Sequence, residues 1–204
     1  MASGVASAPA ALACVTGCEP LHTAKWLSLN QLTWTDPSGK TRQWESLSRT
    51  TRRPGADSDG ADIIATIKKS GEEDRLVLVK QFRPPMRACT LEFPAGLMDP
   101  AESVETTAIR ELYEETGYRG RVERVSKAVS MDPGASNCAT TMVVIHIDGD
   151  DEVNVNPSKH LDEGEFIDVM CVPISGLLAR LEELSASMTI DSRLYAFALG
   201  LSYS

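Results

Sequence analysis

The chain predicts an α/β fold in which a mixed β-sheet is covered on its faces by helices, with a small β-rich region ahead of it. Two observations carry this. Strand patterns come first, then one helix, then more strands, and two amphipathic helices close the chain, an order that implies a mixed sheet with helical cover. The 204 residues also suffice to bury a core, and the 42% hydrophobic content is that of an ordinary globular protein.

In chain order, residues 1–20 are rich in Ala, Ser and Gly and read as a disordered tail. Leu12-Ala13-Cys14 faintly resembles a lipoprotein cleavage site, but the basic flank and leucine-rich stretch of such a signal are missing, so that reading is rejected. Residues 21–53 form a β-hairpin region. Lys25 to Leu32 alternates around Trp26, Leu27 and Leu29, Asp36-Pro37-Ser38-Gly39 has turn chemistry, and Thr41 to Thr50 alternates again. Arg52 to Gly60 is polar, rich in Gly and Pro, and reads as a linker. The main domain covers 60–204. Ala61 to Lys68 and Arg75 to Phe82 are strands around the turn Ser70 to Asp74, and Thr90 to Phe93 is a short strand leading into Pro94-Ala95-Gly96. A helix starts with Ser103 as N-cap and ends before Gly117, whose missing Cβ suits the left-handed position after a helix. Strands near Val122 to Ser130, Thr140 to Ile147 and Phe166 to Val172 follow, then helices over Ile174 to Ser185 and Ile190 to Ser202.

The net charge of −9 argues against general affinity for nucleic acid or anionic membrane. No apolar run approaches the ~18 residues of a membrane span. Cys14, Cys18, Cys89, Cys138 and Cys171 are odd in number and lack metal-finger spacing. Free thiols without an export signal point to an intracellular compartment, cytoplasmic or nuclear.

The helix after Gly96 carries the chemistry. Residues three and four apart share a helix face, so Glu111, Glu114 and Glu115 form an acidic cluster while Val104, Ala108, Ile109 and Leu112 form an apolar stripe. Like charges this close repel, and a hard divalent cation relieves them. Mg²⁺ characteristically joins one or two carboxylates to substrate phosphates. Arg110 falls on another face and reads as an orienting residue for a glutamate, with Glu102 structural or in the outer sphere of the site.

Gly96, Glu102, Arg110, Glu111, Leu112, Glu114, Glu115 and Gly117 resemble the Nudix box, the signature of hydrolases of nucleoside diphosphates linked to another group. Tyr118 departs from it, standing where the box has an aliphatic packing residue. The resemblance extends to Trp44-Glu45-Ser46, to Val79 through Pro85, and to Glu92 through Gly96, which look like the ADP-ribose-cleaving, ADP-sugar pyrophosphatase branch. Pro133, fifteen residues past the box, has a counterpart in that branch. The resemblance implies a Nudix-type α/β/α sandwich.

It also implies roles. Glu111 and Glu115 would ligate metal together with the backbone carbonyl of Ala95, and Glu114 either ligates a second ion or closes a salt bridge. Two or three Mg²⁺ ions are implied, with Mn²⁺ as a substitute. Glu165 is either the base for the attacking water or part of an acidic surface turn with Asp162 and Glu163. Arg49, Arg83 and Lys80 are candidates for the diphosphate and terminal ribose. Arg presents planar donors suited to phosphate, and residues 40–53 hold five basic side chains against one acidic. Leu97 and Cys138 would line the substrate. Trp26 and Trp44 either pack in the core or stack on adenine, as such tryptophans of two subunits do in the family, with Glu45 reading the adenine amino group. That arrangement implies a homodimer sharing its N-terminal region. Trp34 reads as packing.

The expected activity is hydrolysis of ADP-ribose to AMP and ribose 5-phosphate. Oxidised guanine nucleoside diphosphates such as 8-oxo-dGDP, or other nucleotide sugars, are alternative substrates. A non-catalytic ADP-ribose sensor is the alternative of another class, and the intact glutamates argue against it.

Overall fold

The computed structural model describes residues 12–203, so the expected tail over 1–11 lies outside the described residues. The chain divides into two compact units. One runs to Asp59 and includes Ser130–Ala139, and the other comprises Gly60–Val129 and the chain from Thr140 onward.

The first unit is a three-stranded antiparallel sheet of β1 (Cys14–Thr23), β2 (Leu27–Thr35) and β3 (Thr41–Arg49), in that order. The β2–β3 hairpin turns where expected, because the Asp36 carboxylate accepts the amides of Ser38 (2.9 Å) and Lys40 (3.0 Å). Strand β1 corrects the tail reading from Cys14 on. It lies on the free edge of β2, with register shifts at Val15/Gly17 and Pro20/His22. Those irregularities break the period-two pattern by which a strand is legible. The segment read as a linker is tied down: Arg52 holds Asp59 through Nε (2.8 Å) and Nη2 (2.5 Å), and Nη2 also donates to the Asn137 carbonyl (2.8 Å). The sheet inverts the usual burial pattern. Ser28 and Asn30 are buried, with Asn30 Nδ2 donating to Ser48 Oγ at 3.0 Å, while Leu27, Leu29 and Leu47 are exposed.

The second unit contains β4 (Gly60–Lys68), β5 (Arg75–Arg83), β6 (Ala88–Glu92), β7 (Ala95–Leu97), α1 (Val104–Thr116), β8 (Arg121–Ser130), β9 (Ala139–Asp148), β10 (Ile167–Pro173), α2 (Leu177–Leu184), β11 (Thr189–Ile190) and α3 (Ser192–Leu201). The eight strands form one mixed sheet, ordered β11-β6-β5-β4-β9-β8, with β10 also paired to β5 and β7 to β4. Pairings β4–β9 and β6–β11 are parallel. The short strands β7 and β11 had no periodic signature to announce them.

Strand alternation splits the core in two. Ala61, Ile63, Ala65, Val77, Val143, Ile145 and Ile147 pack with Ala108 and Leu112 of α1. On the opposite face Leu76, Leu78, Leu91, Phe93 and Val172 pack with Leu177 and Leu181 of α2 and Leu194 and Ala198 of α3. This is the expected α/β/α sandwich. Each fully buried Leu or Ile contributes on the order of 1.5–3 kcal/mol, so both layers hold the sheet rigidly. One stripe residue differs: Ile109 is exposed, because a step of about 100° per residue carries it off the line of Val104, Ala108 and Leu112.

Candidate active site

Helix α1 is built as its sequence dictates. Ser103 Oγ accepts the Thr106 amide (3.2 Å), and Gly117 ends the helix at φ 77°, its amide bonded to the Tyr113 carbonyl. The helix sets its glutamates against strand β7. Glu115 is buried and accepts the Ala95 amide through Oε2 at 3.1 Å. Glu111 lies against Gly96 so closely that a Cβ there would meet its carboxyl carbon at 1.8 Å.

Arg110 is the hub of the cluster. Its Nε and Nη2 each reach a Glu102 oxygen at 2.9 Å, Nη1 reaches Glu111 and Glu114 at 2.9 Å each, and Nη2 also donates to the Leu97 carbonyl at 3.2 Å. Arg110 therefore shares a face with Glu114, four residues on, and bends to Glu111. The different-face expectation fails, while the orienting role is what the geometry displays. Hydrogen bonds from Arg110 hold the Glu102 carboxyl down to about 2. Glu114 makes the salt bridge that was one of its two readings.

The other two carboxylates behave oppositely. Burial, and then the charge of Glu111, push the Glu115 carboxyl up to about 8. Burial also raises Glu111, against the opposing charge of Arg110. Glu165 contributes repulsion to both. It is exposed, at the end of a turn in which its amide donates to the Asp162 carbonyl (3.1 Å) and its Oε2 accepts the Asp162 amide (3.1 Å). Three carboxylates thus share one electrostatic neighbourhood. Among the described residues no three His, Cys, Asp or Glu side chains form a ready-made metal cage. The donor set is one buried and one half-buried carboxylate, mutually repelling, beside a strand edge, and it suits a hard ion that completes its shell with water and phosphate oxygens.

Arg83, at the end of β5, is gripped by buried Glu92 of β6: Nε to Oε1 at 2.9 Å and Nη2 to Oε2 at 2.6 Å. Sequence reasoning had not singled out Glu92. It appeared there only as the first residue of the Glu92 through Gly96 motif, an acid two residues beyond Thr90 on a strand that otherwise reads as core, with no role assigned. Lys80 pairs with Asp168 across β5 and β10 at 3.4 Å. Leu97 is part exposed beside the hub.

The first unit holds the remaining candidates. Trp26 and Trp44 are both more than half exposed, so neither is a core residue. Lys25 Nζ stands 4.5 Å over the Trp26 ring, and Trp44 Nε1 donates to the Gly134 carbonyl at 3.0 Å. Trp44 lines a concavity of about 340 Å³ with Val15, Leu32, Trp34 and Pro133. Trp34 is part buried, as its packing role requires, and its Nε1 lacks a hydrogen-bond partner among the described residues. Glu45 is exposed opposite Gln31, and Cys138 is part buried in the 130–139 segment. The buried Nε of Arg49 likewise has no partner there.

Residues 60–191 match the family model of the NUDIX domain. The chain belongs to the Nudix family. Among its relatives, mouse ADP-sugar pyrophosphatase is 44% identical over 191 residues, 93% of this chain and 87% of that protein. The ADP-ribose pyrophosphatase of Saccharomyces cerevisiae is 37% identical over 179 residues, 87% of this chain and 77% of its own length. A crystal structure of an ADP compounds hydrolase superposes with a TM-score of 0.62 at 20% identity, covering 86% of each chain, and shares the fold. The box residues Glu111, Glu114 and Glu115 therefore lie on α1, with Glu102 just ahead of it. Among the described residues, no helix is long and apolar enough to cross a membrane.

Proposed function

We propose that this Nudix protein hydrolyses the diphosphate of ADP-ribose and related ADP-sugars, with Mg²⁺, to AMP and a sugar phosphate. The observation that carries the reading is the Glu111–Glu115 pair, half-buried and buried respectively, packed against Gly96 and Ala95 with Glu165 in electrostatic range. Buried like charges of this kind are costly unless an ion compensates them. Glu111, Glu115 and the Ala95 carbonyl would hold two or three Mg²⁺, or Mn²⁺ in their place, and Arg110 keeps Glu114 and Glu102 oriented behind them. When bound, the metal supplies positive charge for the developing phosphoryl charge and lowers the pKa of a coordinated water.

Glu165 takes the proton of the attacking water, and Arg83 and Arg49 bind the diphosphate. Leu97 and Cys138 line the bound substrate. Adenine falls to Trp26, Trp44 and Glu45. Exposed Leu27, Leu29 and Leu47 form an apolar sheet face that suits a second copy of the chain, supporting a homodimer in which the two tryptophans of one base site come from different subunits. The names carried by the mouse and yeast relatives support the substrate class. Five free thiols support a reducing, intracellular location, cytoplasmic or nuclear. A non-catalytic sensor would have no use for the repelling carboxylates.

A substrate panel scored by kcat/KM with Mg²⁺ tests the reading. ADP-ribose is expected to lead AMP-linked sugars, UDP-sugars and 8-oxo-dGDP. A lead for 8-oxo-dGDP would replace the substrate, and binding without turnover would establish the sensor.

A further inference from the structure

Glu92 is a charged group buried inside the sheet layer, its side chain 7% exposed. Strand register explains how it meets Arg83. Glu92 stands opposite Val79 and Arg83 opposite Ala88, with Gln81 opposite Thr90 between them, and alternation puts all six on one face. That face is the one on which Val77 packs with α1, the helix of Glu115. The Arg83 side chain therefore lies back along the sheet, and Glu92 holds it there by three contacts of 2.6 to 3.2 Å. Thr90 Oγ1 in turn bonds Glu92 Oε1, fixing the carboxylate. The grip uses Nε and Nη2 of Arg83, and among the described residues it leaves Nη1 for another partner. The guanidinium also interacts with the charge of Glu115. Behind Glu92, Arg193 of α3 adds a second positive charge and is itself held by Asp62 at 2.7 Å.

We propose that Glu92 is a positioning residue for the diphosphate: it fixes the Arg83 guanidinium beside the metal-binding glutamates, with Thr90 as its lock. This deepens the functional reading above and rests on its assignment of Arg83 to the diphosphate. Burying a carboxylate against a half-exposed guanidinium is a poor device for stability alone, because the desolvation of Glu92 offsets much of the attraction. It is a good device for pre-organisation. Arg83 is otherwise a long side chain at a strand end, and a guanidinium already immobilised spends less entropy on gripping phosphate.

The test is a double-mutant cycle on Kd, measured by calorimetry with Ca²⁺ in place of Mg²⁺, and on KM and kcat with Mg²⁺. The ligand is the best diphosphate of the wild-type substrate panel. Arg83→Ala and Glu92→Gln are each expected to raise Kd about tenfold, the equivalent of ~1.4 kcal/mol. The double variant should match Arg83→Ala within about twofold, because Glu92 acts through Arg83. KM should rise more than kcat falls. Additive losses, or a Glu92→Gln Kd within about twofold of wild type, would overturn the proposal while leaving the hydrolase reading standing. If Glu92→Gln does not fold, the near-isosteric Thr90→Val decides: about a threefold rise in Kd is expected, and no rise overturns the proposal. A wild-type protein that neither binds nor cleaves any diphosphate of the panel would remove both readings together.

Discussion

The carboxylate of Glu111 occupies the space in which a side chain at residue 96 would begin: an added Cβ on Gly96 would lie 1.8 Å from both the carboxyl carbon and Oε1. Glycine at this position is thus a condition for the glutamate's placement, and its φ is not in the left-handed region that would otherwise explain it. Gly96→Ala is expected to displace Glu111 and to lower kcat by about 10²-fold or more, the scale of a lost metal interaction. The fold should survive, because the clash is with a side chain end. Circular dichroism and kinetics with saturating Mg²⁺ check both halves, and near wild-type kcat would detach Glu111 from the chemistry.

Glu115→Gln should separate activity from stability. The amide keeps the shape and can still accept the Ala95 N–H, but it removes the charge that burial and Glu111 disfavour. Turnover should fall by about 10²-fold or more. The metal-free variant should melt at or above the wild-type temperature at pH 8. A clear drop in melting temperature would mean that the Glu115 charge is satisfied without metal.

How far such relationships can be read without coordinates depends on their range. The helix caps Ser103 and Gly117 and the turn at Asp36 involve partners within four residues, so the sequence pattern suffices. The eight box positions placed Glu111 and Glu115 correctly on α1. Arg110 was harder, because a long side chain reaches across faces that a helical projection keeps apart. The Arg83–Glu92 grip depends on the register of two strands, and strand β1 on the free edge that β2 offers. Neither is encoded in a local period. The buried Ser28–Asn30–Ser48 network likewise reverses what alternation alone would assign to β2.

The pH dependence follows from Glu115. Its carboxyl stands near 8 in the metal-free fold against 4.5 in an unfolded chain, so the fold binds the proton more tightly. The stability associated with that proton is complete below about pH 4.5 and is lost as pH rises through about 8. The melting temperature of wild type relative to Glu115→Gln, both in EDTA, should therefore fall between pH 5 and 8. If Glu115 ligates Mg²⁺, the ion displaces the same proton, so its affinity should rise with pH over that window. Calorimetry in buffers of different ionisation enthalpy should register up to about one proton released near pH 7. A gap between the two proteins that stays constant with pH would contradict the assignment.

Glu165→Gln addresses the base. The residue is exposed and its hydrogen bonds run within its own turn with Asp162, so the substitution should leave the fold untouched. A loss of roughly 10² to 10⁴-fold in kcat with little change in KM is expected of a group that acts on water. A fall in kcat of less than about threefold would pass the role to another carboxylate. Glu114, which holds a salt bridge with Arg110, would be the first to examine.

Trp26 and Trp44 test the base site and the assembly together. Both rings are more than half exposed, which leaves each a face for adenine. Trp26→Ala and Trp44→Ala should each raise KM for ADP-ribose by the equivalent of about 1–3 kcal/mol of stacking, with a smaller effect on kcat. If the two rings of one site belong to different subunits, a mixed dimer of the single variants has one site lacking both rings and one site retaining both. Co-refolding the two variants should then restore part of the low-KM activity. Verified mixed dimers without recovery would assign both rings to the same subunit. Sedimentation at a monomer mass would exclude the shared site altogether and leave the hydrolase reading intact.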